Sequence, residues 1–221
     1  MLTRELIGTA QVPGGEELRL FSHGRDFIIV LDRNELMSTR MRHSEESLAL
    51  MTLERLDRTD AHLLIGGYGM GFTLRAALEK LGPQGRATVV ELVPEIIEWA
   101  RGPMAELEAG CLADPRVSLV MADVGQTIAT TSGYDAILLD VDNGPDGLVR
   151  ADNDRIYSPG GLRAARAALR PGGILAVWSS AKDAAFSKRL KSAGFAVEEV
   201  EVRARPNGKG PRHTIWFARK A

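Results

Sequence analysis

His62-Leu63-Leu64-Ile65-Gly66-Gly67-Tyr68-Gly69-Met70-Gly71 is the stretch on which the fold turns. Its first four residues form a short apolar run that reads as a buried strand, and the glycine loop follows at once. Gly66 and Gly67 let the chain leave that strand in a sharp turn, while Gly69 and Gly71 let backbone N–H groups come close to a bound ligand. Leu74, Leu78 and Leu81 then mark one face of a helix that stops at Gly82-Pro83. A strand, a glycine turn and a helix in this order form a ligand loop. The spacing excludes the dinucleotide fingerprint, because counting from Gly67 puts Phe72 where the third glycine would pack helix against strand.

Downstream the alternation continues. Strand Ala87–Glu91, helix Pro94–Glu108, strand Val117–Met121 and strand Tyr134–Asp140 follow in turn. A helix through Leu162–Leu169, strand Ile174–Trp178 and helix Ala184–Ala193 complete the pattern. Strands that are short continuous apolar runs between helices indicate an α/β, doubly wound, mostly parallel sheet covered on both faces. The last two strands, Val197–Arg203 and Thr214–Ala218, have only a loop between them and pair antiparallel, which makes the sheet seven-stranded with a terminal hairpin. Upstream, residues 1–16 read as a flexible lead-in ending at Val12-Pro13-Gly14-Gly15, and a β-hairpin turns at Ser22-His23-Gly24-Arg25. His43-Ser44-Glu45-Glu46 has the character of a helix start. The expected division is a small β-hairpin extension over residues 1–42 and the α/β domain over 43–221.

The chain has 221 residues, 44% of them hydrophobic, and a formal net charge of −1. This balance gives no polybasic surface for nucleic acid or an anionic membrane and favours a small-molecule partner. The one cysteine, Cys111, excludes an internal disulfide and a Cys/His metal cluster, so no metal is expected. With no apolar leader and no run long enough for a membrane helix, a cytoplasmic enzyme is the default.

Three further stations surround the loop. Glu91, at the end of the second strand, suits the two ribose hydroxyls of an adenosine. Asp123, just after the third, can accept from the adenine amino group or cap the following helix. After the fourth strand comes Asp140-Val141-Asp142-Asn143-Gly144-Pro145-Asp146, whose Asp140, Asp142 and Asp146 suit a cationic acceptor. Asp140, at the strand end, is the leading candidate to remove a proton from an attacking amine, with Asp142 second and Asp146 at the acceptor.

Together with Leu63–Gly67, Val89–Glu91, Tyr134–Asp140 and Leu169–Leu175, these stations resemble the spermidine-synthase-like branch of the class I AdoMet-dependent methyltransferase superfamily over residues 17–220. The resemblance implies a class I methyltransferase-like Rossmann fold, with S-adenosyl-L-methionine or its decarboxylated form on Gly66, Gly67, Gly69, Gly71, Glu91 and Asp123. It implies Asp140 as base, His43 and Glu45 as the pair over the substrate, and assembly as a homodimer through the N-terminal β-region. Two departures bear on the reaction. The glycine loop lacks the acid of the aminopropyltransferase pattern Gly-Gly-Gly-Asp-Gly-Gly, and the family's second acid after the strand falls on Asn143. An acid in the loop would attract the ammonium of the decarboxylated donor and repel the carboxylate of intact AdoMet. Its absence makes methyl transfer from AdoMet to a small acceptor, amines included, the leading expectation. Aminopropyl transfer and a non-catalytic adenosyl-ligand-binding role are the alternatives.

Overall fold

A computed structural model of the chain describes residues 4–141 and 154–221. Two sheets are present. The first is antiparallel and four-stranded, in the order β1 (Glu5–Gln11), β2 (Glu17–His23), β3 (Asp26–Leu31), β4 (Asn34–Ser38). The expected hairpin is thus β2–β3, and the supposed lead-in is itself a strand. Its alternation is hard to read because only Ala10 of β1 is buried and the β1–β2 register shifts between Leu6 and Gly8. Gly8 also lies against the Trp99 indole, where a Cβ would come within 2.7 Å of its Nε1.

The second sheet has seven strands: β5 (His62–Gly66), β6 (Arg86–Glu91), β7 (Val117–Met121), β8 (Tyr134–Leu139), β9 (Leu169–Ser179), β10 (Phe195–Arg203) and β11 (Arg212–Lys220). Their order is β10-β11-β9-β8-β5-β6-β7; β5 through β9 are parallel, and β11 pairs antiparallel with both β9 and β10. Alternate residues of β5 go to opposite sides. Leu63 and Ile65 join the core cluster containing Leu48, Leu74 and Ile97, while Leu64 joins Ile128, Leu162 and Phe186. This two-sided burial explains the unbroken apolar runs.

The helices are α1 (His43–Leu56), α2 (Phe72–Lys80), α3 (Pro94–Arg101), α4 (Ala105–Glu108), α5 (Val124–Thr130), α6 (Asp154–Tyr157), α7 (Pro159–Ala168) and α8 (Ala184–Ser192). The single helix expected over 94–108 is broken at Gly102-Pro103, where proline lacks the N–H that would continue the ladder. Strand β9 starts earlier than expected. Its pairing with β8 jumps from Tyr134–Leu169 to Ala136–Ile174, so Arg170–Gly173 bulges within the strand instead of ending a helix. No helix among the described residues is long and apolar enough to cross a membrane.

Candidate active site

The parallel register assembles the site. Gly66 lies opposite Leu139 of β8 on one side and Val90 of β6 on the other, so Gly67, Asp140 and Glu91 leave the sheet side by side. Glu91 pairs with Met121, which puts Asp123 two residues beyond the next strand end, and Leu139 pairs with Val177, which puts Trp178 beside Asp140. Strands β5 and β8 are the neighbours from which the chain winds in opposite directions. The crevice beyond their carboxyl ends is where open α/β sheets bind ligands.

A cavity of about 160 Å³ occupies this place. Gly67, Gly69, Glu91, Asp123, Asp140, Glu45 and Trp178 line it, and the N-terminal sheet closes it with aliphatic side chains such as Leu18, Ile29, Leu31 and Met37. Gly67 has φ +83°, and a Cβ there would stand 2.8 Å from the Asp140 carbonyl oxygen. Only glycine fits a left-handed turn packed so closely against backbone.

Each carboxylate is held differently. Glu91 is 7% exposed. Its Oε2 accepts from the Tyr68 N–H at 2.9 Å, and its Oε1 accepts from the N–H groups of Leu92 and Val93 at 2.8 and 2.9 Å. It thereby ties the glycine loop to the turn after β6. Burial nevertheless raises its pKa against the pull of these amides. Asp123 caps α5 through Oδ1, which accepts from the Gln126 N–H at 2.8 Å. Its Oδ2 has no protein donor among the described residues.

Asp140 follows β8 and accepts at Oδ2 from the Thr73 hydroxyl at 3.0 Å. Burial pushes its pKa up to about 6. Glu45, on the first turn of α1 and 5% exposed, is pushed up to about 8 by burial and then by the Asp140 charge. Its Oε2 accepts from the Ser44 hydroxyl at 2.7 Å. Two carboxyl groups with raised pKa values, one of them raised further by the other's charge, at the end of a glycine loop can take up a cation and a proton.

The other sequence-derived residues fall as follows. Gly66 closes β5 and Gly71 precedes α2 with φ +75°; neither lines the cavity. His43 begins α1, half-buried, and does not line the cavity, so of the pair expected over the substrate only Glu45 reaches it. Asp142 and Asp146 lie outside the described residues. Tyr68 and Met70 are buried in the core, whereas Trp178 faces the cavity, and its buried indole N–H has no protein acceptor among the described residues. Sequence reading missed Thr73 and Ser44, which hold the acids. It took the loop Lys209-Gly210-Pro211-Arg212-His213 for a rim loop, a solvated turn or a contact for an anionic part of a substrate, whereas His213 is buried against Ser44. The signal was faint: Ser44 and His213 are 169 residues apart and meet only because β11 runs back beneath α1.

No family model matches the chain. It is 30% identical over 198 residues to the polyamine aminopropyltransferase of Mycobacterium tuberculosis, covering 85% of this chain and 36% of that protein. The polyamine aminopropyltransferase of Korarchaeum cryptofilum is 29% identical over 180 residues, 81% of this chain and 53% of that protein. The chain therefore spans between a third and about half the length of these relatives. Among solved structures, spermidine synthase from Thermotoga maritima superposes with a TM-score of 0.76 at 19% identity, over 98% of this chain and 73% of the other. A spermidine synthase in complex with the transition state analogue AdoDATO gives 0.75 at 18% identity, with the same coverage. These findings overturn the expectation of methyl transfer, since both sequence relatives and both structural neighbours carry the name of the aminopropyl-transferring alternative. The inference from the loop failed because it let the loop alone decide the donor, while α1 brings the acid Glu45 to the same cavity. The chain is similar to polyamine aminopropyltransferases along most of its length, and its fold, a mostly parallel seven-stranded sheet behind a four-stranded antiparallel one, is that of spermidine synthase.

Proposed function

We propose that the chain is an aminopropyltransferase that takes decarboxylated S-adenosylmethionine as donor and a small amine as acceptor. One observation carries the reading: every titratable group lining the cavity among the described residues is a carboxyl group, Glu45, Glu91, Asp123 and Asp140, and none is a cation. Intact AdoMet would bring its own carboxylate into this field with no positive partner, whereas the decarboxylated donor carries only a sulfonium and an ammonium. Glu91 and Asp123 suit the ribose and adenine of that donor, Gly67 and Gly69 its close approach, and Asp140 the acceptor. The aliphatic wall of the N-terminal sheet suits the methylene chain of an amine.

Asp140 would orient the acceptor and take a proton from its ammonium, leaving a neutral amine. The nitrogen lone pair then forms a bond to the propyl carbon next to sulfur, and the carbon–sulfur bond breaks with its electron pair going to sulfur. The products are a secondary ammonium and a neutral thioether, so charge and atoms balance. The protein's part is alignment and charge, which supply most of the rate in such a displacement.

Incubation with decarboxylated AdoMet and a panel of diamines, followed by mass spectrometry, tests this. The expected products are the aminopropylated amine and methylthioadenosine. Calorimetric binding of AdoMet with no binding of the decarboxylated donor would sink the proposal, as would binding of that donor without any product.

A further inference from the structure

We propose that Ser44 and His213 are positioning residues for Glu45: they form a buried hydrogen-bond chain that stays complete in both charge states of its carboxyl group, so that Glu45 can ionise to face the ammonium of the acceptor while Asp140 takes its proton. This rests on the amine-acceptor reading above. The sequence places His213 at the end of the basic loop Lys209-Gly210-Pro211-Arg212, where a rim position exposed to solvent is the natural expectation. Instead it is buried, packed edge-on to Trp178 with ring centroids 4.8 Å apart. Its Nδ1 lies 2.8 Å from the Ser44 hydroxyl, which is wholly buried and 2.7 Å from Oε2 of Glu45. Glu45 in turn lines the cavity.

Ser44 has one hydroxyl proton and can also accept, and a neutral imidazole can present either N–H or a lone pair. With Glu45 ionised, Nδ1–H of His213 donates to Ser44, and Ser44 donates to Glu45. When Glu45 is protonated, its O–H donates to Ser44, whose hydroxyl turns to donate to Nδ1. The imidazole is then in its Nε2–H form, neutral in both states, its Nδ1 proton having been released to water and another taken from water at Nε2. Burial lowers the His213 pKa, which keeps it neutral and leaves the proton on Glu45. The groups acting on Glu45 are Asp140 and Glu46, which oppose its charge, and the Ser44 hydroxyl and its own backbone N–H, which favour it. Trp178, the ring packed on His213, carries no charge.

Titration of the Glu45 side-chain carboxyl by 13C NMR in the free, full-length protein, assigned with Glu45→Gln, tests the chain without needing turnover. In Ser44→Ala the midpoint should rise by roughly one pH unit, because a hydrogen bond to the ionised form is lost. His213→Phe should raise it as well, and His213→Asn, which keeps a donor and an acceptor, should restore the wild-type midpoint. The acid limb of the kcat/KM profile should follow the same order. A midpoint unchanged in Ser44→Ala, or Phe and Asn behaving alike at position 213, overturns the proposal. Absence of aminopropyl transfer in the wild type would overturn the reaction reading alone, since the titration is independent of it.

Discussion

The cavity has two ends, and they hold their acids by different means. At the end proposed for the donor's nucleoside, backbone amides grip Glu91 and Asp123: Tyr68, Leu92 and Val93 on the first, Gln126 on the second. At the end proposed for the reaction, hydroxyl groups contact Asp140 and Glu45, from Thr73 and Ser44 respectively. A backbone N–H can only donate, so it fixes a carboxylate as an acceptor. A hydroxyl can reverse, so it tolerates a carboxyl group that gains and loses a proton. One end is built to hold a shape, the other to change charge.

The largest effect expected from this contrast is at Asp140. Asp140→Asn keeps the size and the bond from Thr73 but cannot accept the amine's proton. It should lower kcat for aminopropyl transfer by about 10²–10⁴-fold while leaving donor affinity, measured by calorimetry, within a few-fold of wild type. Equal losses in binding and rate would show that the two ends are not separable. At the other end, Glu91→Gln should damage the fold. Both Glu91 oxygens accept from backbone N–H groups, so whichever way the amide turns, its NH2 meets a donor. A loss of about 1–3 kcal/mol in urea denaturation is expected, with weaker donor binding. A fully stable Glu91→Gln would mean that the loop does not depend on this brace.

The reversible end also shows in stability against pH. The carboxyl of Glu45 titrates near 8 in the folded protein against an ordinary 4.5, so the folded state holds a proton that the unfolded chain has lost. Stability from this group is complete below the ordinary value and falls as pH rises towards 8. His62 and His213, lowered by burial, act in the opposite sense, but only below 6.5. Between pH 6.5 and 8 the thermal midpoint of the free protein should therefore drop, and Glu45→Gln should flatten the drop. A slope unchanged by that substitution would place the titrating group elsewhere.

Legibility in the sequence followed the same division. The nucleoside end is made of local signals: a glycine loop after an apolar run, an acid at a strand end, an aspartate one residue before a helix. Periodicity locates the strands, and parallel register then brings their ends together, so fold and loop could be read together. The reacting end is made of contacts between distant segments. Glu45 enters from α1, which packs on α2 and β9, and no spacing rule connects it to Asp140. For that reason the missing acid in the loop weighed more than it should, and the leading expectation of methyl transfer was overturned. Strand β1 was lost for a related reason, because a strand with one buried residue has no alternation to detect.

The smallest expected effect separates two roles of one side chain at the nucleoside end. Asp123 caps α5 with Oδ1 and also lines the cavity, so its second oxygen is available to a ligand. Asp123→Ala removes both and should cost about 1 kcal/mol, or roughly 2–4 °C in thermal midpoint for a chain of this size. Asp123→Asn is the sharper variant. Its carbonyl oxygen can keep the cap, since asparagine is as good at that position as aspartate, so the midpoint should stay near wild type. Its amide nitrogen then takes the place of Oδ2 and points a donor at the adenine amino group, itself a donor. Donor affinity should fall about tenfold while stability does not, consistent with one mismatched hydrogen bond. If Asn and Ala instead lose stability alike and bind the donor as the wild type does, Asp123 is a helix cap and nothing more, and the adenine must be read by backbone alone.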